Sequence, residues 1–157
     1  MLSLEMTDIS NFNNLYRNTE INSKYNDFYY IKRTTPDLSN KGFVYKITHI
    51  PTGKIYIGRK YFTLSATKQV KGKKKKYRKE SDWKEYYGSS TLLHADIALY
   101  GKDQFSREIL KLCKNRTECS YYESKYIFES DALLRDDFYN KWISCKITEI
   151  HLKSLKK

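Results

Sequence analysis

Two tyrosines and one glutamate are the residues of this sequence whose types and positions are best suited to chemistry. Tyr45 and Tyr56 lie eleven residues apart in FVYKITHIPTGKIYIGRK, residues 43–60, and Glu123 lies much later, in YYESKYIF. A phenol has a pKa of about 10, so it acts as a base at neutral pH only where a metal ion or other cations lower that value. A carboxylate on a packed surface needs a partner, because burying it bare costs several kcal/mol. What these groups can do therefore depends on the elements that position them.

Both tyrosines belong to a predicted β-hairpin. Apolar and polar residues alternate through FVYKITH, and IPTG supplies the Pro and Gly of a turn. With a four-residue loop, His49 faces Lys54, Tyr45 lies opposite Gly58, and both tyrosines share one face of the hairpin. A three-residue loop would instead place the tyrosines on opposite faces, and the sequence does not choose between the two registers.

Glu123 belongs to a long predicted helix. Asn115 followed by Glu118 is an N-cap signature, and we expect the helix to run to about Leu134. At about 100° per residue, Glu123 falls inside the apolar stripe of this helix, so its carboxylate faces the packed side. The stripe consists of Cys119, Tyr122, Tyr126, Ile127, Leu133 and Leu134.

Three further segments complete the predicted architecture. VKGKKKKYRKE, residues 70–80, has seven basic residues in eleven, and such density predicts a mobile loop or a helix end. TLLHADIALY, residues 91–100, predicts a short helix closed by Gly101. QFSREILKLC, residues 104–113, suits a third strand. The fold class is therefore α/β, with a small, mostly antiparallel sheet of about three strands flanked by helices.

Length and composition predict one main domain with a segment on either side. A chain of 157 residues is long enough to bury a core without disulfides or metal staples. Residues 1–40 are Asn-rich and polar, and we expect a helical or irregular N-terminal extension there. The main domain then covers residues 41–145, and residues 146–157 form a basic C-terminal tail.

The charge of the chain favours a polyanionic partner. Thirty Lys and Arg against 18 Asp and Glu give a formal net charge of +12, for which nucleic acid is the first candidate and anionic lipid the second. No stretch approaches the roughly 18 apolar residues of a membrane span, and the N-terminus lacks the pattern of a secretion signal, so we expect a cytoplasmic protein. Three cysteines without CxxC spacing argue against a structural zinc site or a disulfide framework.

The hairpin segment GFVYKITHIPTGKIYIG resembles the signature hairpin of the GIY-YIG nuclease family. In that family two short strands carry the GIY and YIG tripeptides, and a glutamate on a later helix binds one divalent metal. Residues 56–58 match the YIG half completely, whereas residues 43–45, FVY, keep only the tyrosine of the GIY half. The resemblance covers roughly residues 42–140, because YGSSTLLHADIALYGKDQF and YYESKYIF follow in the family's order.

This resemblance implies a nuclease that hydrolyses phosphodiester bonds of double-stranded DNA with Mg²⁺ (or Mn²⁺). Glu123 would be the metal ligand. Tyr45 and Tyr56 would position the water and the scissile phosphate, and the resemblance leaves open which one acts as general base. A homing or mobile-element, phage or restriction enzyme would each fit, and a phage enzyme would work in the host cytoplasm.

Three further residues have predicted catalytic roles by the same resemblance. The family's arginine follows the YIG strand, and here both Arg78 and Arg59 are candidates, with Arg78 slightly favoured. Asn140 resembles the asparagine that follows the long helix in many members and would help to orient the phosphate. DNA contacts are expected from Lys60, Lys71, Lys73, Lys74, Lys75, Lys76, Lys79 and Trp83.

Two other classes of function compete with the enzyme. A non-catalytic nucleic-acid-binding module could keep the same fold, because Phe43 replaces the first glycine of the motif and the arginine is displaced. A basic protein that binds structured RNA is the third possibility. No sequence feature indicates an oligomeric state.

Overall fold

The computed structural model describes residues 39–148 together with residues 150, 152 and 155. Nearly all of the expected N-terminal extension, residues 1–40, and part of the expected tail lie outside the described residues. The elements follow in the order β1 (Gly42–His49), β2 (Ile55–Tyr61), β3 (Thr63–Val70), β4 (Lys73–Glu80), α1 (Thr91–Tyr100), a short 3-10 helix (Lys102–Gln104), β5 (Phe105–Cys113) and α2 (Arg116–Glu129).

The central sheet is antiparallel and has the strand order β2-β1-β5. This arrangement confirms the predicted α/β fold with a three-stranded sheet. The hairpin has the four-residue loop, since the His49 amide donates to the Lys54 carbonyl at 2.9 Å. Tyr45 then pairs with Gly58 and Ile47 with Tyr56, so both tyrosines lie on the same face.

Side chains cover both faces of this sheet. One core cluster, on the face of the two tyrosines, consists of Phe43, Tyr45, Ile47, Tyr56, Phe62, Trp83, Tyr87, Leu93, Phe105, Ile109 and Tyr139. The other, between the sheet and α2, consists of Val44, Ile57, Cys113, Cys119, Ile127, Ala132 and Phe138. Because side chains alternate along a strand, Tyr56 and Gly58 face the first cluster and Arg59 points to the same side as Ile57.

The lysine-rich segment is a strand, which corrects the expectation of a mobile loop or helix end. Residues 73–80 form β4 and pair along their whole length with β3 in a separate two-stranded ribbon. Lys71 and Gly72 connect the strands with φ of 48° and 75°, the left-handed values that a two-residue hairpin turn requires. The charge density is compatible with a strand because consecutive lysines emerge on opposite faces of the ribbon and stay in solvent.

The short helix α1 ends at the predicted cap Gly101, and α2 begins at the predicted cap Asn115 but is shorter than expected. Asn115 Oδ1 accepts a hydrogen bond from the Glu118 amide at 2.9 Å, as the N-cap signature predicted. The helix ends at Glu129 instead of near Leu134, because Asp131 adopts a left-handed φ of 50°. Leu134 is consequently exposed and does not extend the packed stripe. In the part of the chain that the structure describes, no helix has the length and apolar character needed to cross a membrane.

Candidate active site

A cavity of about 550 Å³ lies beside β2, at the edge of the central sheet. Tyr45, Tyr56, Arg59, Glu123 and Asn140 all contribute to its lining. Five residues predicted from the sequence, separated by up to 95 positions, therefore meet in one place. Their catalytic and metal-binding roles stay predictions, but the shared cavity is the arrangement that those roles require.

Two glycines make room for the phenols. A Cβ atom on Gly58 would lie 2.5 Å from the Tyr45 hydroxyl oxygen and 2.8 Å from Tyr56 Cε1. A Cβ atom on Gly88 would lie 2.6 Å from the same Tyr56 carbon. The glycine of the YIG tripeptide is thus explained by the close approach of both phenol rings, whose centroids are 6.2 Å apart.

The two phenols differ in their surroundings. Tyr45 is 1% exposed, and this burial, followed by the neighbouring Tyr56 and Tyr86 phenols, raises its pKa well above the usual value. Tyr56 is 9% exposed, and its hydroxyl lies 3.2 Å from Ser89 Oγ. Tyr45 is therefore suited to donating a hydrogen bond and poorly suited to losing its proton.

Glu123 has a partner, as its position on the packed side of the helix requires. Its carboxylate forms a hydrogen-bonded ion pair with the guanidinium of Arg59, and the two side chains are 18% and 29% exposed respectively. Burial raises the pKa of Glu123, and the charge of Arg59 opposes this shift without cancelling it. Burial lowers the pKa of Arg59, but the nearby Glu123 and Tyr61 raise it on balance. A half-buried acid and cation therefore face one another at the cavity.

The cavity suits a metal that needs few protein ligands. Glu123 is the only carboxylate among its described lining residues. Within residues 39–148 and the three described tail positions, no group of three or more His, Cys, Asp or Glu side chains is placed to hold a metal ion. This donor set does not fit zinc, which takes three or four protein ligands. It fits Mg²⁺, which keeps several waters and binds through one or two carboxylates together with substrate phosphates.

Asn140 binds the edge strand rather than projecting freely into the cavity. Its Oδ1 accepts from the Ile57 amide at 2.9 Å, and its Nδ2 donates to the Ile57 carbonyl at 2.8 Å. The preceding residues extend this pairing, since the Tyr139 amide donates to the Ile55 carbonyl at 2.7 Å. Asn140 therefore holds the strand segment that carries Tyr56 and Gly58 in place.

Arg78, the slightly favoured arginine, does not line the cavity. It lies on the β3–β4 ribbon, where its guanidinium donates to Thr63 Oγ1 at 2.6 Å and to Ser65 Oγ at 3.3 Å. Arg59 directly follows the YIG tripeptide and is the arginine that contacts Glu123. The placement favours Arg59, because Arg59 lies on the face of β2 on which α2 brings Glu123, whereas Arg78 lies on the ribbon.

The expected DNA contacts fall into three environments. Lys71, Lys73, Lys74, Lys75, Lys76 and Lys79 are exposed on the ribbon. Lys60 is mostly covered: its ammonium lies 3.5 Å from the Tyr86 ring centre and 2.6 Å from Asp82 Oδ1. Trp83 is buried at 7% exposure, packs against Phe43 and Phe62, and so presents no face for stacking on a nucleotide. Trp83 is therefore a core residue, in contrast to the expectation.

Sequence reasoning missed the arginine that supports one wall of the cavity. Arg107 is 3% exposed, donates to the Tyr86 and Lys84 carbonyls at 3.0 and 2.8 Å, and lies 4.2 Å from the Tyr87 ring centre. It thereby fixes the loop that brings Tyr86 into the cavity lining. The signal was present, because Arg107 occupies the same alternating positions of its strand as the buried Phe105.

Comparison with known proteins agrees with this arrangement. The family model described as "Putative endonuclease segE, GIY-YIG domain" matches residues 18–143, which is more than half of the chain. No curated protein and no solved structure gave a significant match. A domain of this kind is a nuclease domain, and nucleic acid as substrate agrees with the net charge of +12. With its paired tyrosines on a β-hairpin and its glutamate on the following long helix, this chain belongs to the GIY-YIG endonuclease family.

Proposed function

We propose that the protein is an endonuclease that hydrolyses phosphodiester bonds of double-stranded DNA with the help of Mg²⁺ or Mn²⁺. The observation that carries this proposal is the cavity in which Tyr45, Tyr56, Arg59 and Glu123 meet. Phosphodiester hydrolysis needs a base for the attacking water and positive charge around the phosphate. The cavity supplies candidates for each of these tasks.

Glu123 would hold the divalent ion, with water and phosphate oxygens as its other ligands. When bound, such an ion neutralises the phosphate and stabilises the leaving oxygen. The carboxylate is a suitable ligand because it is a hard oxygen donor that lines the cavity and is only partly exposed. Arg59, bound to the same carboxylate, supplies a permanent positive charge for the phosphate in the transition state.

The two tyrosines take different roles in this proposal. Tyr45 keeps its proton, because burial raises its pKa, and donates a hydrogen bond that orients the water or the phosphate. Tyr56 is the more accessible phenol, and we assign it the role of general base, which accepts the proton of the attacking water. Asn140 acts as a positioning residue, since both ends of its amide bind the backbone of Ile57 beside Tyr56.

One observation favours the alternative of a non-catalytic binding module. The Glu123 carboxylate is engaged by Arg59, and an ion would have to compete with that guanidinium. Titration of the protein with MgCl₂, followed by its thermal unfolding, separates the two functions. If MgCl₂ raises the melting temperature of the wild-type protein but not that of Glu123→Gln, the nuclease is supported. If MgCl₂ does not raise the melting temperature even when a DNA duplex is bound, the binding module is supported.

Cleavage of supercoiled plasmid tests the proposal directly. We expect wild-type protein to nick or linearise the plasmid in MgCl₂ and to leave it intact in EDTA. Glu123→Gln keeps the size of the side chain and removes its charge, so it should abolish cleavage while DNA binding persists. Cleavage in EDTA, or full activity of Glu123→Gln, would contradict the metal-dependent mechanism. Mapping of cut sites on long DNA then tests the proposed homing or phage role, for which we expect few sites.

A further inference from the structure

The β3–β4 ribbon concentrates positive charge that the proposed active site does not use. Residues 63–80 contain eight Lys and Arg but one acidic residue, Glu80. Every residue of β4 is exposed. The base of the ribbon is anchored in the core, because Phe62 is buried and its carbonyl accepts from the Ser81 amide at 2.8 Å. The ribbon is thus anchored at its base and has no packing role along most of its length.

No lysine of the ribbon has an acidic partner in the part of the chain that the structure describes. None of the ion pairs there includes a ribbon lysine, and Lys68 pairs directly with Lys75 across the two strands. Like charges in directly opposite positions destabilise a strand pair, and an isolated hairpin is marginal in water. A polyanion that neutralises these lysines would remove this repulsion, which argues for a nucleic-acid partner rather than a solvated ribbon.

The two faces of the ribbon differ in chemistry. Residues that pair directly across the two strands share a face of the ribbon. On one face, every side chain has a polar group that can form hydrogen bonds. We call it the polar face, and it consists of Thr63, Ser65, Thr67, Gln69, Lys74, Lys76, Arg78 and Glu80. The opposite face consists of Leu64, Ala66, Lys68, Val70, Lys73, Lys75, Tyr77 and Lys79. The contacts of Arg78 with Thr63 and Ser65 agree with this division.

These features fit the major groove of DNA. That groove is about 12 Å wide and accepts a two-stranded β-ribbon, and Arg, Lys, Gln, Ser and Thr are the side chains that bind base edges there. The major groove of an RNA duplex is too narrow to be read in this way. We propose that the β3–β4 ribbon enters the major groove of double-stranded DNA with its polar face toward the base edges and binds the flanking phosphates through the lysines of the opposite face. The choice of duplex DNA as partner rests on the proposed function.

Chain connectivity limits where the recognised bases lie. Val70, at the tip of the ribbon, is eleven residues after Arg59, which lines the cavity. An extended chain spans at most about 3.5 Å per residue, so the tip lies within roughly 40 Å of the proposed cleavage site. At about 3.4 Å per base pair, this distance corresponds to about one helical turn of DNA. The sequence preference should therefore lie within about a dozen base pairs of the cut.

Binding to modified duplexes tests the groove on the full chain. The Glu123→Gln variant in EDTA is used, so that binding is measured without cleavage and independently of whether the protein is a nuclease. A randomised 24-base-pair DNA pool is first enriched for bound duplexes. In a selected duplex, 7-deazaguanine removes the major-groove acceptor N7 and inosine removes the minor-groove amino group of guanine. We expect the affinity to fall at least about fivefold with 7-deazaguanine and to stay within twofold with inosine.

Two sets of substitutions separate base contacts from phosphate contacts. Thr67→Val with Gln69→Leu keeps the charge and the strand propensity, and should reduce the preference for the selected duplex over the pool by between about fivefold and 150-fold. The salt slope is the slope of the logarithm of the binding constant against the logarithm of the salt concentration. Neutralising the opposite face with Lys73→Gln, Lys75→Gln and Lys79→Gln should reduce its magnitude by up to about 2.7, at roughly 0.9 per phosphate contact. The matched charge control, Lys102→Gln with Lys111→Gln and Lys114→Gln, should leave the slope nearly unchanged.

Each result decides the proposal. Loss of affinity with inosine and not with 7-deazaguanine, or tighter binding to an RNA duplex of the same sequence, would overturn it. The same holds if the control lysines change the salt slope as much as the ribbon lysines. Circular dichroism checks that the ribbon variants fold, and the modified duplexes need no ribbon variant at all. Absence of plasmid cleavage together with 7-deazaguanine sensitivity would reject the nuclease and keep the ribbon.

Discussion

Replacement of Gly58 by alanine tests whether the two phenols depend on the space beside β2. The new methyl group would lie 2.5 Å from the Tyr45 hydroxyl oxygen, 2.7 Å from Tyr45 Cζ and 2.8 Å from Tyr56 Cε1. An ordinary contact begins at 3.4 Å, so the Tyr45 hydroxyl would have to move by about 0.9 Å, the difference between the two distances. Tyr45 is almost completely buried and cannot swing into solvent, so the strand and both rings must share the displacement.

The expected magnitudes follow from this displacement. Inserting a methyl group into a packed site costs about 1–3 kcal/mol of folding stability. Misplacing a reacting group by about 1 Å costs on the order of 100-fold in rate. Gly58→Ala should therefore lower single-turnover plasmid nicking about 100-fold while the protein remains folded. The loss should appear in the rate of the chemical step and not in DNA affinity.

Gly53→Ala is the matched control. Gly53 lies in the hairpin turn with φ of 73°, and a Cβ atom there meets nothing within 4 Å. Alanine at this position costs about 1–2 kcal/mol of backbone strain without touching the cavity. Both variants are compared by urea unfolding and by single-turnover nicking. If Gly58→Ala cleaves within threefold of wild type, or if Gly53→Ala loses as much activity at equal stability, the steric explanation fails.

Two further predictions concern the acid and the edge of the sheet. Burial raises the pKa of Glu123, so its carboxyl group binds a proton more tightly in the folded state than in the unfolded chain. The contribution of Glu123 to the free energy of unfolding therefore falls as the pH rises from the ordinary carboxyl range through the raised pKa. In EDTA at pH 7, Glu123→Gln should therefore be at least as resistant to urea as wild type, and a clear loss would contradict the direction of the shift. Asn140→Ala leaves the amide and carbonyl of Ile57 unpaired. It should lower the free energy of unfolding by about 1–3 kcal/mol and remove much of the nicking rate. Unchanged urea unfolding would show instead that water replaces the side-chain amide.

The sequence predicts the strands of the central sheet and the two helices because their signals are local. Alternation identifies β1, β2 and β5, and Asn115 and Gly101 mark helix ends through their own backbone chemistry. The register of the hairpin depends on the length of one loop, which the composition of IPTG leaves open. The ribbon is harder to predict, because the charge density of residues 70–80 indicates a loop, and its one local signal is the Lys71–Gly72 turn, whose second residue favours a left-handed φ.

The candidate site was predictable where a residue violated the pattern of its own element. Glu123 interrupts an apolar stripe, so its need for a partner is visible without any structure. The choice between Arg59 and Arg78 is different, because it depends on which side of β2 the long helix packs. Trp83 is a residue for which the local sequence is misleading. A tryptophan next to lysines suggests stacking on nucleotides, but Trp83 packs against Phe43 in the core. Contacts between distant segments carry this information, and composition does not.

The position of the site at the sheet edge explains why its residues are of these types. Tyr45 and Tyr56 face one side of the sheet, whereas Arg59 faces the side on which α2 brings Glu123. In the middle of a sheet, groups on opposite faces are separated by a continuous ladder, but beside an edge strand they can line one cavity. The edge position has two consequences: the strand needs a residue without a side chain where the phenols approach, and its outward amide and carbonyl need partners. Gly58 meets the first need and Asn140 the second, so a glycine and an asparagine that contribute no reactive group are as necessary to the geometry as the tyrosines themselves.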